Sequence, residues 1–311
     1  MSSKTWLITG CSSGFGYELA LAVMKRGDIA IATARGDPSR LQTLKDAGAH
    51  VYSLDVTAPL SVIKATVEKI VKDTADGRID VLVNNAGYLE GGLIEEASEE
   101  SWKRQFDTNF FGTLKTTQAV LPYMRSQKSG TILTIGSVAG WQSYPAGGQY
   151  ASSKFALEGF HESLMQEAAP FGIKSLLLEP GMFRTKVLSE TNLRWDKSAT
   201  IPELDDLRTA IQNYASSQDG TQAGDTNKLV KIIIDVVNGE GVAKGRELVD
   251  GRLPLGGDAL ATIRSKCQNT LNMLDEWEDV IGSTNFDDVK GVTEIGDGMK
   301  MKQAELESVK A

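Results

Sequence analysis

The chain of 311 residues has few cysteines and histidines, and it has no long hydrophobic run. Its two cysteines, Cys11 and Cys267, cannot build a disulfide framework or a cysteine-rich zinc site. His50 and His161 stand far apart and outside any ligand spacing, so we expect no metal site. No stretch approaches the roughly 20 apolar residues that a membrane span needs. The N-terminal residues also lack the pattern of a secretory signal, and we therefore expect a protein of the cytoplasm.

A basic surface is missing as well. The 33 lysines and arginines are outnumbered by 41 aspartates and glutamates, which gives a formal net charge of −8. Without a long basic run, the chain is a poor candidate for binding the phosphate backbone of a nucleic acid. Hydrophobic residues make up 41% and charged residues 24%, as is usual in soluble globular proteins.

Short β-branched runs alternate with longer segments of helical period, which is typical of βαβ units and a parallel sheet. Strands are predicted at residues 6–9, 29–33, 50–53, 81–84, 130–135, 174–179 and 247–249. Helices are predicted at residues 17–26, 60–75, 98–126 and 152–169. Because the strands are apolar on both faces, we expect a doubly wound α/β fold of Rossmann type, with helices on both faces of a parallel sheet.

The alternation is interrupted twice. Residues 182–227 are long, mixed in composition and placed directly after a strand, which favours a substrate lid within a single domain over residues 1–257. Residues 258–281 have an amphipathic pattern and are predicted to form a C-terminal helix. Residues 282–311 are rich in Gly, Lys and Glu, and we expect this tail to be poorly ordered.

A glycine-rich turn follows the first predicted strand and opens the first long helix. Gly10 permits a sharp turn, Gly14 permits close approach to a pyrophosphate, and Gly16 permits close contact between helix and strand. The free N–H groups at the helix N-terminus favour an anion there. Three glycines after a strand can also be a simple turn. The residues of the turn that we expect to contact a dinucleotide are Gly10, Ser12, Ser13, Gly14, Phe15 and Gly16.

The end of the second predicted strand indicates which dinucleotide is preferred. An NAD site usually has an acidic residue there for the ribose hydroxyls, whereas this strand is followed by Arg35. A guanidinium pairs well with a 2′-phosphate, so the sequence favours NADP(H), although Arg35 can also be an ordinary solvated residue. Asp55 follows the third strand, where it can accept from the adenine amino group or cap the next helix.

Ser137, Tyr150 and Lys154 form a candidate catalytic set. Ser137 follows a strand, and Tyr150 and Lys154 are four residues apart, which places them on one face of a helix. A nearby ammonium and an oxidised nicotinamide both favour the phenolate, so we expect them to lower the pKa of the tyrosine toward neutrality. A tyrosine and a lysine at this spacing are by themselves common on surface helices.

Several motifs together resemble the short-chain dehydrogenase/reductase family, in the order in which the family has them, from Thr5 to about Gly257. They are the glycine turn, Asn84-Asn85-Ala86-Gly87, Asn109 in its Asp-Thr-Asn-Phe context, Ser137, Tyr150 with Lys154, and Pro180-Gly181. The segments around Arg35 and after Lys154 look like the hydroxysteroid and retinol dehydrogenase branch. The resemblance implies an oxidoreductase of the Rossmann type.

The resemblance also implies roles for individual positions. The catalytic residues would be Asn109, Ser137, Tyr150 and Lys154, with Asn109 kinking its helix and holding a water in a proton relay. The further cofactor-binding residues would be Asn85, Ala86, Gly87, Tyr150, Lys154, Pro180, Gly181, Phe183 and Thr185. Many NADP-dependent members have a basic residue where this chain has Ser13, so the cofactor preference depends on Arg35.

We therefore expect an NADP(H)-dependent oxidoreductase that interconverts a carbonyl and a secondary alcohol. Apolar and aromatic residues favour a lipophilic, medium-sized substrate, although each can also be packing; they are Tyr88, Leu89, Trp141, Tyr144, Met182, Val187, Leu188, Leu193 and Trp195. A cofactor-organised cyclase or isomerase and a non-catalytic nucleotide-binding redox sensor are the alternatives. Family members pair the helices that correspond to residues 98–126 and 152–169, so we expect a homodimer or homotetramer, unless their apolar residues face the sheet.

Overall fold

The computed structural model describes residues 3–74, 77–189, 192–286 and 288. The strands of these residues are β1 (Thr5–Ile8), β2 (Ile29–Ala34), β3 (His50–Ser53), β4 (Val81–Asn84), β5 (Leu89–Gly91), β6 (Gly130–Ile135), β7 (Ile173–Pro180), β8 (Leu193–Trp195) and β9 (Arg252–Leu255). The α-helices are α1 (Gly14–Lys25), α2 (Gln42–Asp46), α3 (Leu60–Asp73), α4 (Glu99–Phe106), α5 (Gly112–Gln127), α6 (Gly148–Ala168), α7 (Asp205–Gln218), α8 (Thr226–Asn238), α9 (Gly257–Glu276) and α10 (Glu278–Gly282).

Seven parallel strands form the central sheet in the order β3-β2-β1-β4-β6-β7-β9. The chain builds outward from β1 to β3 and then crosses back to place β4 on the other side of β1. This reversal opens a crevice beyond the carboxyl ends of β1 and β4, the usual ligand position in such sheets. The predicted doubly wound parallel fold is confirmed.

The sheet separates two hydrophobic cores because successive side chains of a strand point to opposite faces. Trp6 and Ile8 of β1 pack on the face that is covered by α1 and α8. Leu7 packs on the other face, where α3, α5 and α6 bring residues such as Ile63 and Val120. The strands carry apolar residues at consecutive positions because both of their faces are covered by helices.

Two predicted elements differ in the structure. The predicted helix over residues 98–126 is divided by a π-helical segment, Asp107–Phe111, which joins α4 to α5. The prediction of a strand at residues 247–249 is wrong, because a 3₁₀ turn occupies Val249–Gly251 and the strand begins at Arg252. Asp250 and Gly251 have φ values of 51° and 64°, which no strand adopts. Pro254 is tolerated in β9 because this strand lies at the edge of the sheet.

The segment predicted as a lid contains β8 and α7, and β8 pairs in parallel with β5 as a separate two-stranded sheet. Two charged side chains add to the contacts that hold this segment to the rest of the chain. Arg208 of α7 donates to Glu96 at 2.9 and 2.7 Å. Asp196 accepts from the backbone N–H and the hydroxyl of Ser98, each at 2.6 Å.

The C-terminal part of the chain leaves the sheet as α9 and α10, which together occupy the range predicted as a helix. Of α9, only Ala259 is buried. The predicted disorder of residues 282–311 falls almost entirely outside the described residues, which end at 286 and 288.

Candidate active site

The glycine turn is packed against the loop that follows β4. The side-chain amide of Asn85 donates to the carbonyl oxygens of Thr9 and Gly10 at 2.8 and 3.1 Å. The backbone N–H groups of Asn85 and Ala86 donate to the Thr9 hydroxyl, each at 3.0 Å. A Cβ on Gly16 would lie 2.5 Å from the Asn85 amide nitrogen, so glycine is required there by contact and not only by the turn.

The N-terminus of α1 faces the crevice without a side-chain cap. Ser13 occupies the N-cap position, but it makes no capping hydrogen bond, and the first turn of α1 carries no acidic residue. Its first N–H groups are therefore available to an anion. Phe183 packs edge-on against Phe15 with ring centroids 5.5 Å apart, and the Thr185 side chain lies next to Gly14.

The Pro180-Gly181 motif is held by the C-terminal part of the chain. The Gly181 N–H donates to the carbonyl of Leu255 in β9 at 2.8 Å. Asp258 in the first turn of α9 accepts from the Met182 N–H at 2.6 Å, and a Cβ on Gly181 would overlap this carboxylate. Asp258 is a site neighbour that the sequence reasoning missed, since an acidic residue at a helix start predicts only helix stabilisation.

Two arginines stand at the end of β2. Arg35 is exposed, and its carbonyl oxygen accepts from the Arg40 guanidinium at 3.2 Å, which keeps a second cation next to it. Asp37 lies in the same turn, but its carboxylate accepts from the Ser39 N–H at 2.8 Å and caps the 3₁₀ turn Pro38–Leu41. Sequence reasoning missed Arg40, although its place five residues after Arg35 in one turn was the available signal.

Asp55 lies beyond the end of β3, where its Oδ1 accepts from the backbone N–H and the hydroxyl of Thr57 at 2.9 and 2.7 Å. The N-cap of α3 is Pro59, so Asp55 stabilises the turn before the helix and does not cap the helix.

Ser137, Tyr150 and Lys154 meet beyond the end of β6. The Lys154 ammonium is buried and donates to the carbonyl of Ile135 at 2.7 Å. It lies 5.6 Å from the centroid of the Tyr150 ring. The Ser137 hydroxyl oxygen accepts from the Ala139 N–H at 3.1 Å, so its own hydrogen is free to be donated.

Burial has opposite effects on the two titrating groups of this set. It raises the pKa of Tyr150, while a hydrogen bond with Ser137 acts in the lowering direction. Burial lowers the pKa of Lys154 to about 8, and the carboxylate of Glu158 acts against that shift. The side chains around Tyr150 thus raise its pKa, opposite to the lowering that the sequence analysis predicts, because burial outweighs the nearby hydrogen bond. At neutral pH, the phenol therefore carries its proton and the lysine is mostly an ammonium.

Asn109 lies in the π-helical segment and is buried. Its Oδ1 accepts from the Tyr88 N–H at 3.2 Å, and its Nδ2 donates to the Tyr88 carbonyl and the Ser153 hydroxyl at 3.2 Å each. The Ser153 hydroxyl donates in turn to the Tyr150 carbonyl at 2.7 Å. Asn109 thus ties the loop after Gly87 to the helix that carries Tyr150 and Lys154.

An apolar cavity of about 280 Å³ opens at the N-terminal end of α6, two residues before Tyr150. Its lining residues are Leu93, Ile94, Glu95, Ser143, Tyr144, Pro145, Ala146, Gly148, Leu204 and Leu207. Of the residues predicted to form substrate walls, only Tyr144 belongs to this lining. Leu89, Leu193 and Trp195 instead form the small sheet of β5 and β8, and Trp141 donates to Glu179 at 2.6 Å.

The residues that the structure describes contain no group of three His, Cys, Asp or Glu side chains placed to hold a metal ion. Among the helices of these same residues, none is long and apolar enough to cross a membrane.

Comparison with known proteins accounts for this arrangement. The family profile described as short chain dehydrogenase matches residues 4–195, which is more than half of the chain. The chain belongs to the short-chain dehydrogenase family. The match runs from the start of the sheet through β8, so it includes the glycine turn, Ser137, Tyr150 and Lys154.

Relatives and solved structures of the family match over most of their length. The uncharacterized oxidoreductase YusZ of Bacillus subtilis is 33% identical over 92% of this chain and 100% of its own. A 3-ketodihydrosphingosine reductase of Bacteroides thetaiotaomicron is 41% identical over 62% of this chain and 69% of its own. The crystal structure of a short-chain dehydrogenase from Streptomyces avermitilis is 35% identical, with a TM-score of 0.78 over 92% of this chain and 100% of that one. This dehydrogenase is therefore an oxidoreductase with a nucleotide-binding fold.

Proposed function

We propose that this dehydrogenase uses NADP(H) to interconvert a carbonyl and a secondary alcohol on a lipophilic, medium-sized substrate, with Tyr150 as the acid and base. The observation that carries the proposal is the meeting of Tyr150, Ser137 and Lys154 beyond β6. A phenol bonded to a serine hydroxyl and backed by a buried ammonium is suited to passing a proton to a substrate oxygen. Because the Tyr150 phenol is protonated at neutral pH, it can give a proton to the substrate oxygen during reduction.

The crevice residues fit a dinucleotide. A Cβ on Gly14 would make only ordinary contact with Thr185, so a pyrophosphate can approach the backbone there, whereas Gly10 and Gly16 pack against the loop after β4. The uncapped start of α1 offers N–H groups to the charge of the pyrophosphate. Arg35 and Arg40 would receive the 2′-phosphate of NADP(H). When bound, the nicotinamide supplies or accepts the hydride.

Each catalytic side chain then has one task. Ser137 donates its hydroxyl hydrogen to the substrate oxygen, while its own oxygen accepts from the Ala139 N–H. Tyr150 gives its proton to that oxygen during reduction and takes it back during oxidation. Lys154 stabilises the phenolate that forms when the proton leaves, since an opposite charge nearby favours the charged form. Asn109 positions the helix through Ser153; the water-holding role that the resemblance implies stays a prediction.

The apolar cavity that Gly148 lines, two residues before Tyr150 in the chain, supports the substrate class. Leu93, Ile94, Leu204 and Leu207 leave little polar surface for a sugar or an acid to bind. The similar 3-ketodihydrosphingosine reductase acts, by its name, on a ketone of a lipid base. The cytoplasmic location and the assembly as a homodimer or homotetramer remain predictions.

Replacing Tyr150 by Phe tests the proposal. This change removes the transferable proton and keeps the ring, so carbonyl reduction should fall by roughly 100- to 10,000-fold. The assay follows NADPH absorbance at 340 nm with a panel of aromatic and long-chain ketones, and NADPH fluorescence checks that the cofactor still binds. Tyr123→Phe on α5 is the matched control and should keep full activity. Near-normal reduction by Tyr150→Phe would remove Tyr150 from its role.

A further inference from the structure

A pair of buried carboxyl groups lies behind the catalytic lysine. Glu158 is one helical turn after Lys154, which is itself one turn after Tyr150, so the three share one face of α6. Glu179 ends the apolar run of β7 directly before Pro180 and has no exposed surface. The proposed reaction gives no task to either glutamate.

The hydrogen bonds of this pair are incomplete without a proton between the two groups. The Trp141 indole donates to Glu179 Oε1 at 2.6 Å. Both carboxyl oxygens of Glu158 and the other oxygen of Glu179 are buried without any further hydrogen-bond partner. The two carboxyl groups are neighbours: Glu158 lies against Gly140, next to the Trp141 that binds Glu179, and each carboxyl affects the pKa of the other. A proton held by one would satisfy an oxygen of the other.

The positive charge around the pair is also insufficient for two carboxylates. Arg252 of β9 approaches Glu158 at 3.2 Å, but it also binds Glu162 at 2.8 Å. Burial, followed by the neighbouring Glu179, raises the pKa of Glu158, while Arg252 acts against the rise. Burial likewise raises the pKa of Glu179. Arg252 is shared with Glu162, and Lys154 is the second cation near the pair, so two neighbouring buried carboxyl groups are expected to keep one proton between them.

Asp250, two residues before Arg252, and His161, which follows Glu158 by almost one turn of α6, are further titratable groups near Arg252. The ring nitrogens of His161 contact the Ser175 hydroxyl at 2.9 Å and the Asp250 carbonyl at 2.7 Å. Burial lowers the pKa of His161, so it adds no positive charge at neutral pH. Lys154 and Arg252 are therefore the cations that face the pair from α6 and β9.

We propose that Glu158 and Glu179 share one proton at neutral pH, and that their single negative charge keeps Lys154 in its ammonium form. Glu158 and Glu179 are thus positioning residues that act through the lysine. Their importance for catalysis rests on the proposed function. The charge of Lys154 is what stabilises the Tyr150 phenolate, so the pair would set the alkaline limit of the reaction.

The test measures the titration of Lys154 directly. Protein labelled with ¹³C at lysine Cε is titrated by NMR, and the Lys154 signal is assigned from its loss in Lys154→Arg. In Glu158→Gln, the negative charge passes to Glu179 on β7, whereas Glu158 is the carboxylate that lies one turn from Lys154 on α6 and acts on its pKa. We therefore expect the titration of Lys154 to move down by about one pH unit, since an opposite charge a few ångströms away shifts a pKa by roughly one to three units. In Glu179→Gln, Glu158 keeps the charge, so the titration should stay in place or move up. Glu162→Gln removes an exposed charge from the same arginine and should leave it unmoved.

The two core variants move in different directions only if one proton is shared. If Glu179→Gln lowers the Lys154 titration as Glu158→Gln does, both carboxyls are ionised and the proposal is wrong. If Glu158→Gln leaves the titration of Lys154 unchanged, the pair does not keep the lysine in its ammonium form, and the proposal is wrong. The wild-type protein gives a check that does not depend on the folding of a variant. The NMR signal of the Trp141 indole N–H, which is bonded to Glu179, should change with pH in the neutral to alkaline range. A change only below about pH 5 would refute the shared proton.

These measurements use no substrate, which separates the inference from the proposed function. If the titrations behave as expected but Tyr150→Phe keeps its reductase activity, the carboxyl pair stands and the proposed function fails. If both hold, Glu158→Gln should also move the alkaline limb of the pH profile of kcat/KM to lower pH, by the same shift as the lysine titration.

Discussion

The arginines at the end of β2 give a quantitative test of the proposed cofactor preference. Arg35 is exposed, and Arg40 is held next to it through a hydrogen bond to the Arg35 carbonyl at 3.2 Å. The carboxylate of Asp37 is occupied by the Ser39 N–H, so it offsets these charges only in part. The perturbation is Arg35→Asp, which replaces a phosphate ligand with a group that repels phosphate and accepts from ribose hydroxyls.

The expected preference for NADPH over NADH follows from the number of charged groups at this position. A hydrogen bond to a charged group contributes about 1.5–3 kcal/mol, and about 1.4 kcal/mol is a factor of ten in an equilibrium constant. Arg35 alone therefore gives roughly a ten- to hundredfold preference for NADPH. A second exposed guanidinium at about 4 Å adds about 1 kcal/mol in water, or roughly fivefold. Arg40→Ala should thus reduce the preference without reversing it, whereas Arg35→Asp should reverse it.

The assay compares kcat/KM for NADPH and NADH with one carbonyl substrate, before and after each change. Arg125→Asp is the matched control, because it makes the same change of charge on an exposed residue near the C-terminus of α5, which lies by the amino end of β4. Its cofactor ratio should equal that of the wild type. A wild-type enzyme that prefers NADH, or an unchanged ratio in Arg35→Asp, would refute the reasoning.

Three further predictions concern binding, stability and assembly. Gly16→Ala forces a Cβ against the Asn85 amide and should weaken NADPH affinity measured by fluorescence by about tenfold or more, whereas Gly159→Ala, with open space around it, should bind normally. Burial acts to raise the pKa of Asp196, but hydrogen bonds from Ser98 and Ser198 hold it well below the usual range. This depressed pKa stabilises the fold above about pH 4, so Asp196→Asn should lose about 1 kcal/mol in thermal melts at pH 7, a difference that shrinks as the pH falls below about 4. Light scattering should give at least twice 33.6 kDa at micromolar concentration, and a monomer mass would contradict the predicted dimer.

The strands of the central sheet could be predicted because burial on both faces leaves a strong signal. His50–Ser53, Val81–Asn84 and Gly130–Ile135 have the predicted ranges without change, and β1, β2 and β7 differ by only one or two residues at either end. His50–Ser53 is an exception to the burial argument, because no residue of this edge strand is fully buried. The family resemblance is confirmed by the profile match over residues 4–195. Its motifs could be located in the sequence because they follow these strands. The edge strand β9 was predicted at residues 247–249, whereas it begins at Arg252. Proline is rare in strands except at sheet edges, so Pro254 weakens the strand pattern of these residues.

Other features depended on contacts that are distant in sequence. The pairing of β5 with β8 involves three residues on each side and more than a hundred residues between them. The helix α8 contains the run Ile232–Ile234, which reads as a strand, and only the N-cap Asp225 and the left-handed Gly239 mark its ends. Glu158 and Glu179 each read as ordinary surface acids, because nothing local shows that the fold buries them together.

The crevice at the carboxyl ends of the strands has a consequence for how the enzyme can change. The loops after β1, β2, β4, β6 and β7 carry the proposed chemistry, while the amino ends are closed by separate contacts, such as Asp80 accepting from the Thr5 N–H at 2.9 Å and from Arg78 at 2.8 Å. Loops at one end can therefore be exchanged in laboratory evolution to reach new ketones. Compensating substitutions at the other end can restore heat tolerance without altering the turnover that was selected.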